Sequence, residues 1–275
     1  RNGGSSSLNS SEANTIVHEI GHALGLSHPY EDPRNSNWTT DDTIMSYNIS
    51  PDGWDTWFSD LDIQALQSIW GIENDYGTDG NDVMSGESGG DTFYARRGND
   101  LVNAYAGDDL IYANQGEDTI KGGLGDDIVL GGKDHDLLCG NQGEDRIYGN
   151  LGDDLIYGGK SNDWQHGGMG ADVLYGNLGD DLIYGGKSND TLHGGQGADV
   201  LYGNSGADLF KFSAGSDRVM DFNSSEGDLI AIRSGLAYSI QSQGSDMLIN
   251  TDIGSLRLVG TFQDDQYLAQ SIVAT

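Results

Sequence analysis

Two sets of residues in this chain have the types and the spacing to do chemistry. The first is the run His18-Glu19-Ile20-Gly21-His22-Ala23-Leu24-Gly25-Leu26-Ser27-His28. His18 and His22 are four apart, so on a helix both imidazoles leave one face about one turn from each other and can share a metal ion. Glu19 then lies beside that ion, where it can take a proton from metal-bound water, and Gly25 permits a left-handed exit that returns His28 as third ligand. Three imidazoles with an open fourth position suit one zinc ion that activates water. The second set is periodic. Asp82, Asp91, Asp100, Asp109, Asp118, Asp127, Asp136, Asp145, Asp154, Asp163, Asp172, Asp181, Asp190, Asp199 and Asp208 recur every nine residues without a gap. Carboxylates are hard oxygen ligands, and so many at a fixed period point to several calcium ions.

The composition sets limits on both readings. The 275 residues include 44 acidic and 13 basic side chains, a formal charge of -31, and 43 glycines. Phosphate binding needs a basic face, so nucleic acid is excluded as a partner. A carboxylate excess of this size is also a mark of disorder, but the fixed period argues that cations neutralise it at defined positions. Extracellular calcium modules fill at roughly 0.1 to 1 mM calcium, which makes the expected location secreted. Cys139 is the single cysteine, so bound metal rather than a disulfide must staple the fold. No apolar run is long enough for a transmembrane segment, and Arg1-Asn2-Gly3-Gly4 suggests a chain that begins inside a longer parent.

The elements that position these residues fall into three regions. Residues 1–76 carry ordinary helix and loop patterns, among them a helix capped by Ser59, buried through Ile63, Leu66, Ile69 and Trp70, and stopped by Gly71. Residues 77–211 are fifteen nine-residue copies. In Gly122-Gly123-Leu124-Gly125-Asp126-Asp127-Ile128-Val129-Leu130, glycines suit tight turns and a three-residue strand follows the Asp, its middle side chain inward. That inward position is apolar from Met84 to Phe210 except at Gln165. Asp134, Ser161 and Ser188 replace the fourth-position glycine, and Ala95, Ala104 and Ala113 the first, so these loops are expected to be the weakest. The ninth position carries Tyr94, Tyr112, Leu130, Tyr148, His166, Tyr184 and Tyr202 at eighteen-residue steps, a stacked row more suited to stability than to a flat ligand. Residues 212–275 alternate as strands do near 218–222, 228–232 and 255–259.

His18 to His28 resembles the metzincin zinc signature, and Pro29 with Met45-Ser46-Tyr47 is similar to the serralysin branch of secreted bacterial zinc endopeptidases. The resemblance implies that Met45 forms a turn under the metal, that Tyr47 stabilises the tetrahedral intermediate, and that Glu19 serves hydrolysis of internal peptide bonds in a protein substrate. The repeats resemble the RTX nonapeptide, which implies a parallel β-roll of two copies per coil with calcium between turns one coil apart, so that Asp109 stacks near Asp127. The tail resembles the region that closes such a roll and carries a signal for bacterial type I export. The expected fold class is therefore mostly β, a parallel β-roll with a C-terminal β cap, preceded by the helical C-terminal part of a metzincin α+β catalytic domain. The expected protein is a monomeric, calcium-stabilised zinc endopeptidase, with this piece lacking the upstream sheet. The rival reading is a non-enzymatic calcium-dependent extracellular scaffold, surface-layer component or adhesin, because residues 77–275 carry no candidate chemistry of their own. A carbohydrate enzyme or binder is a weaker third reading, since it gives His18 to His28 no purpose.

Overall fold

The computed structural model describes residues 74–260, 268 and 270–275. The chain divides into two units between Ile72 and Glu73, and the described residues belong to the second. The expected helix at 59–71 and the first region as far as residue 73 lie outside the described residues, while its last three residues, 74–76, form a strand parallel to 92–94.

From Leu101 to Ser205 the chain forms one strand per repeat, each of about six residues, as in β4 (Leu101–Ala106), β5 (Leu110–Gln115), β6 (Thr119–Leu124) and β7 (Ile128–Lys133). Each strand pairs in parallel with the strand two places on, so β4 lies beside β6 and β5 beside β7. Consecutive strands thus belong to opposite faces, and one coil takes two repeats. The register is eighteen residues throughout, as in Ile111 opposite Val129 and Tyr184 opposite Tyr202. This follows from the pattern itself, because a shift of nine would place a strand on the wrong face and a shift of one would turn its core side chain outward.

The strands are twice the expected length. They run from the seventh position of one copy through the third position of the next, with inward side chains at the eighth position and again at the first. Glycine at the first position supplies no side chain, and that keeps the interior narrow: one column of large apolar residues from each face. Phe93, Ile111, Ile120, Leu138, Ile156, Leu174 and Phe210 in that column are all fully buried. Gln165 is buried among them and stays in register, its Nε2 donating to the Tyr175 carbonyl at 2.9 Å while its Oε1 has no partner. Ala95, Ala104 and Ala113 add their methyls to the same core. Asp134, Ser161 and Ser188 adopt φ of 75°, 76° and 82°, so each reproduces the left-handed turn that glycine serves elsewhere.

The tail extends the coil before it closes it. β17 (Ala214–Val219) lies parallel to β15 (Val200–Ser205), and β18 (Leu229–Ile232) lies parallel to β16 (Leu209–Lys211). An antiparallel meander follows, β19 (Ser239–Gln243), β20 (Asp246–Asn250) and β21 (Gly254–Leu258), and β21 returns parallel to β17. Ile230, Ile232, Met247, Ile249, Leu256, Leu258 and Leu268 give this end a broader apolar core. β22 (Ile272–Ala274) completes the layer on β18, so the final residues form a paired strand.

The expected fold class requires correction in its first part. Among the described residues helical backbone is confined to Leu268, Gln270 and Ser271, and the supported class is a parallel β-solenoid with a β cap rather than a solenoid joined to a helical catalytic domain. The helical-domain expectation rested on residues 1–76, a length that buries too little surface for a robust core alone.

Candidate metal centre

The sixth-position Asp stands where each turn enters its strand. Its carbonyl accepts from the residue one coil and one place on, as Asp100 does from the Thr119 amide at 2.8 Å. Its own amide donates to the carboxylate of the Asp one coil later: Asp100 to Asp118 Oδ1 at 2.8 Å, Asp109 to Asp127 Oδ1 at 2.9 Å, Asp154 to Asp172 Oδ1 at 2.8 Å. The expected stacking of Asp109 near Asp127 is therefore realised through a definite bond. The result is a column of carboxylates inside each row of turns, with Asp100 to Asp208 no more than 3% exposed.

One oxygen of each carboxylate is used in this way and the other is not. From Asp100 through Asp199 every Oδ2 is buried without a hydrogen-bond partner. A buried charged oxygen that meets neither donor nor cation is costly, so the column demands positive charge. Burial pushes these carboxyls above the ordinary acid range, assisted by the like charges of neighbouring Asp residues: Asp118 to about 6, Asp127 and Asp172 to about 7, Asp136, Asp163 and Asp190 to about 8. Lysine and arginine do not answer the demand, because the ion pairs among the described residues are Arg97 with Asp79 and Arg257 with Asp246, both outside the columns.

From Asp127 to Asp199 the space beside each orphaned oxygen is open because glycine stands there. A Cβ on Gly140 would run into the Asp145 carboxylate, and a Cβ on Gly122 would meet Asp127 Oδ2 and the Gly140 carbonyl one coil on. Carboxylate oxygens facing backbone carbonyls in a water-poor turn are the donor set of a hard cation. Calcium fits these residues, with Asp carboxylates and first-position carbonyls as the groups that would hold it. No group of three or more His, Cys, Asp or Glu side chains able to hold a metal occurs among the described residues, which accords with sites whose further donors are backbone oxygens.

A second ladder, not read from the sequence, runs along the fifth position. Here the side chain accepts from the amide one coil later, the reverse of the sixth-position direction: Asp108 Oδ1 from Asp126, Asp126 Oδ1 from Glu144, Asn162 Oδ1 from Asp180, at 2.8 to 3.0 Å. His135 takes the same role through Nδ1, accepting from the Asp153 amide at 2.7 Å. The signal was present in the frequent Asp and Asn at that position, but exposed polar residues in turns are common enough to pass unnoticed.

The aromatic row is stacked upon itself. Tyr94 and Tyr112 have ring centroids 5.0 Å apart and planes 3° apart, and Tyr184 and Tyr202 are 4.7 Å and 10° apart. Within these pairs ring lies on ring, while Leu130 interrupts the row and His166 is tilted by 43° to Tyr184, which favours the stabilising reading over a flat ligand platform. A shallow surface cavity of about 480 Å³ opens on the opposite face around Cys139, Tyr157 and Lys160.

His18, Glu19, His22, His28, Met45 and Tyr47, the residues expected to bind zinc and carry hydrolysis, lie outside the described residues. The reading of the chain as a zinc endopeptidase is overturned: among the described residues there is neither a side-chain metal cluster nor a catalytic helical domain, and the cation sites that are present consist of oxygen donors. A spacing of histidines states only what ligands a helix would present, and a working centre also needs a packed domain to hold them. The expectation of metzincin-type hydrolysis at a zinc ion falls with that reading.

The model of the RTX calcium-binding nonapeptide repeat, four copies long, matches residues 76–111, 103–138, 140–174, 166–201 and 184–219. No curated protein matches the chain. Among solved structures, the extracellular lipase LipA from Serratia marcescens is similar at 18% identity and a TM-score of 0.37, over 74% of this chain and 40% of that one. The AlgE6R3 subunit of the Azotobacter vinelandii mannuronan C5-epimerase is similar at 25% identity and a TM-score of 0.21, over 44% of this chain and 77% of that one. The chain thus spans less than half the length of the lipase.

Proposed function

We propose, on the premise that this chain belongs to the RTX calcium-binding nonapeptide repeat family, that its repeats form an extracellular scaffold whose folding is switched on by calcium. The observation that carries this reading is the unbroken run of buried, unpartnered Oδ2 atoms from Asp100 to Asp199. With calcium bound, each ion supplies the positive charge those oxygens lack. The chain supplies the rest: amides that hold Oδ1 of each carboxylate, glycines that leave room beside Oδ2, and a one-column core that ties the coils together. Without cations the carboxylates repel across coils about 4.8 Å apart, and a glycine-rich backbone has little else to offset its conformational entropy.

The same balance supports a role in export. A chain that stays unfolded at low calcium can cross a narrow channel and fold outside, where ion binding to the native state alone draws the equilibrium over. Type I export machinery is the partner this reading requires, and residues 212–275 are the proposed signal region. Sixth-position Asp residues from Asp100 to Asp208 are the proposed calcium ligands.

Circular dichroism of the full chain during calcium titration tests the scaffold. A coil-to-β transition on addition of millimolar calcium, reversed by chelator, is expected. An undiminished β signal in excess chelator would contradict it.

A further inference from the structure

The columns of cation-demanding carboxylates stop at both ends, and the manner of stopping is the same each time. At the start, Asp82 Oδ2 accepts from the Thr78 amide at 2.7 Å and from Thr78 Oγ1 at 3.0 Å, and Asp91 Oδ2 accepts from the Glu87 amide at 2.8 Å. At the finish, Asp217 Oδ2 accepts from Ser213 Oγ at 2.8 Å, and Asp228 Oδ2 accepts from the Asn223 amide at 2.8 Å. In each case the donor lies four or five residues earlier in the chain. The carboxylates at the finish keep the interior bond on the other oxygen: Asp217 Oδ1 accepts from Asp199 and Asp228 Oδ1 from Asp208, at 3.2 and 2.9 Å. They are as buried as the interior members, with Asp217 2% and Asp228 4% exposed. Only the second oxygen differs, and it differs by having a protein donor where the interior members have none.

We infer that Thr78, Glu87, Ser213 and Asn223 are terminators of the calcium row: they satisfy Asp82, Asp91, Asp217 and Asp228 with protein hydrogen bonds, so that these four rungs take no cation. The physical reason is geometric. An ion between coils needs oxygen donors from the turns of both, and the strands that flank these rungs on their outer side carry no further Asp of the series. A hydroxyl or amide from the same turn replaces the missing half at no cost in bound ions, and it lets each end of the solenoid close before calcium arrives. Asp217 and Asp228 lie beyond the last repeat, so the nine-residue count alone does not reveal them. This inference rests on the calcium reading above.

Calcium stoichiometry of the full chain, measured by equilibrium dialysis at saturating calcium, separates the two. If the unaltered chain binds no calcium, the scaffold reading itself fails. If it binds calcium, Asp217→Asn should bind as many ions as the unaltered chain, whereas Asp154→Asn should bind at least one fewer. Equal loss in the two variants would overturn the inference. Ser213→Ala, which removes one hydroxyl and leaves Asp217 in place, guards against a folding defect in the first variant. It should either gain an ion or need a higher calcium concentration at the midpoint of folding. An unchanged count together with an unchanged midpoint would also overturn the inference.

Discussion

The repeats and the C-terminal cap are both built of parallel strands in register with one another, yet they are held together by different forces. In the repeats each coil contributes one large side chain per face to the interior, and it places beside that column a buried carboxylate oxygen with no partner. In the cap, Met247, Ile249, Leu256, Leu258 and Leu268 cluster in a broader core, and Asp217 and Asp228 are fully hydrogen-bonded. Burying a Leu or Ile side chain contributes about 1.5 to 3 kcal/mol, so the cap can offset its ordering entropy by apolar burial. The repeats cannot, because the glycine that opens room for the ion also removes side-chain area from the core. On the proposed reading, one β architecture therefore yields a calcium-dependent part and a part that closes without the ion.

Substitution at glycine should expose this difference most sharply. Gly140 adjoins the Asp145 carboxylate, and a larger residue there must push that carboxylate out of its place in the column. Gly140→Val is expected to cost at least about 3 kcal/mol through lost cation coordination and displaced backbone. In the cap, Gly244 has φ of 68° at a hairpin with nothing within 4 Å of an added Cβ. Gly244→Ala should cost only about 1 kcal/mol. Thermal unfolding in saturating calcium compares the two, and equal losses would mean that the glycine cradle has no special role.

The next effect concerns pH. In chelator, burial raises Asp136, Asp163 and Asp190 to about 8 and Asp127 and Asp172 to about 7, from 3.8. A carboxyl with a raised folded-state value stabilises the fold when protonated, so its contribution is full below about pH 4 and is lost as pH rises through 6 to 8. Any residual β signal of the calcium-free repeats should therefore be larger at pH 5 than at pH 9. In calcium the order reverses, because protons compete with the ion, and the half-saturating calcium concentration should fall as pH rises across that window. Calcium titrations at several pH values check both signs, and a calcium affinity independent of pH would count against carboxylate ligation.

The smallest effect lies inside the repeat core. Gln165 leaves its Oε1 buried and unpaired while Nε2 bonds to Tyr175. An unsatisfied amide costs about 1 to 3 kcal/mol. Gln165→Leu should therefore stabilise the chain by about 1 kcal/mol and raise the melting temperature by a few degrees. A lower melting temperature would show that the bond to the Tyr175 carbonyl outweighs the orphaned oxygen.

Much of this fold is legible from spacing alone. A core residue every nine positions, alternating between faces, predicts the eighteen-residue register, and Ile111 does pair with Val129. Strand length was misread, because the two glycines of a copy such as Gly122-Gly123 look like turn residues although both continue the strand. The sixth-position Asp residues declare themselves by periodicity. Ser213 and Asn223 do not, since each occurs once and acquires meaning only from the chain's path around the last coil. His18 to His28 shows the opposite limit: a motif can specify ligands in detail without showing that a domain exists to use them.

Hydrogen-exchange mass spectrometry of the full chain, with calcium and in chelator, tests the central claim most directly. Calcium should protect amides between Asp100 and Asp208 strongly, and removing it should leave them exchanging at near the unfolded rate while residues 229–258 retain measurable protection. Protection of the repeats in chelator equal to that in calcium would contradict the account.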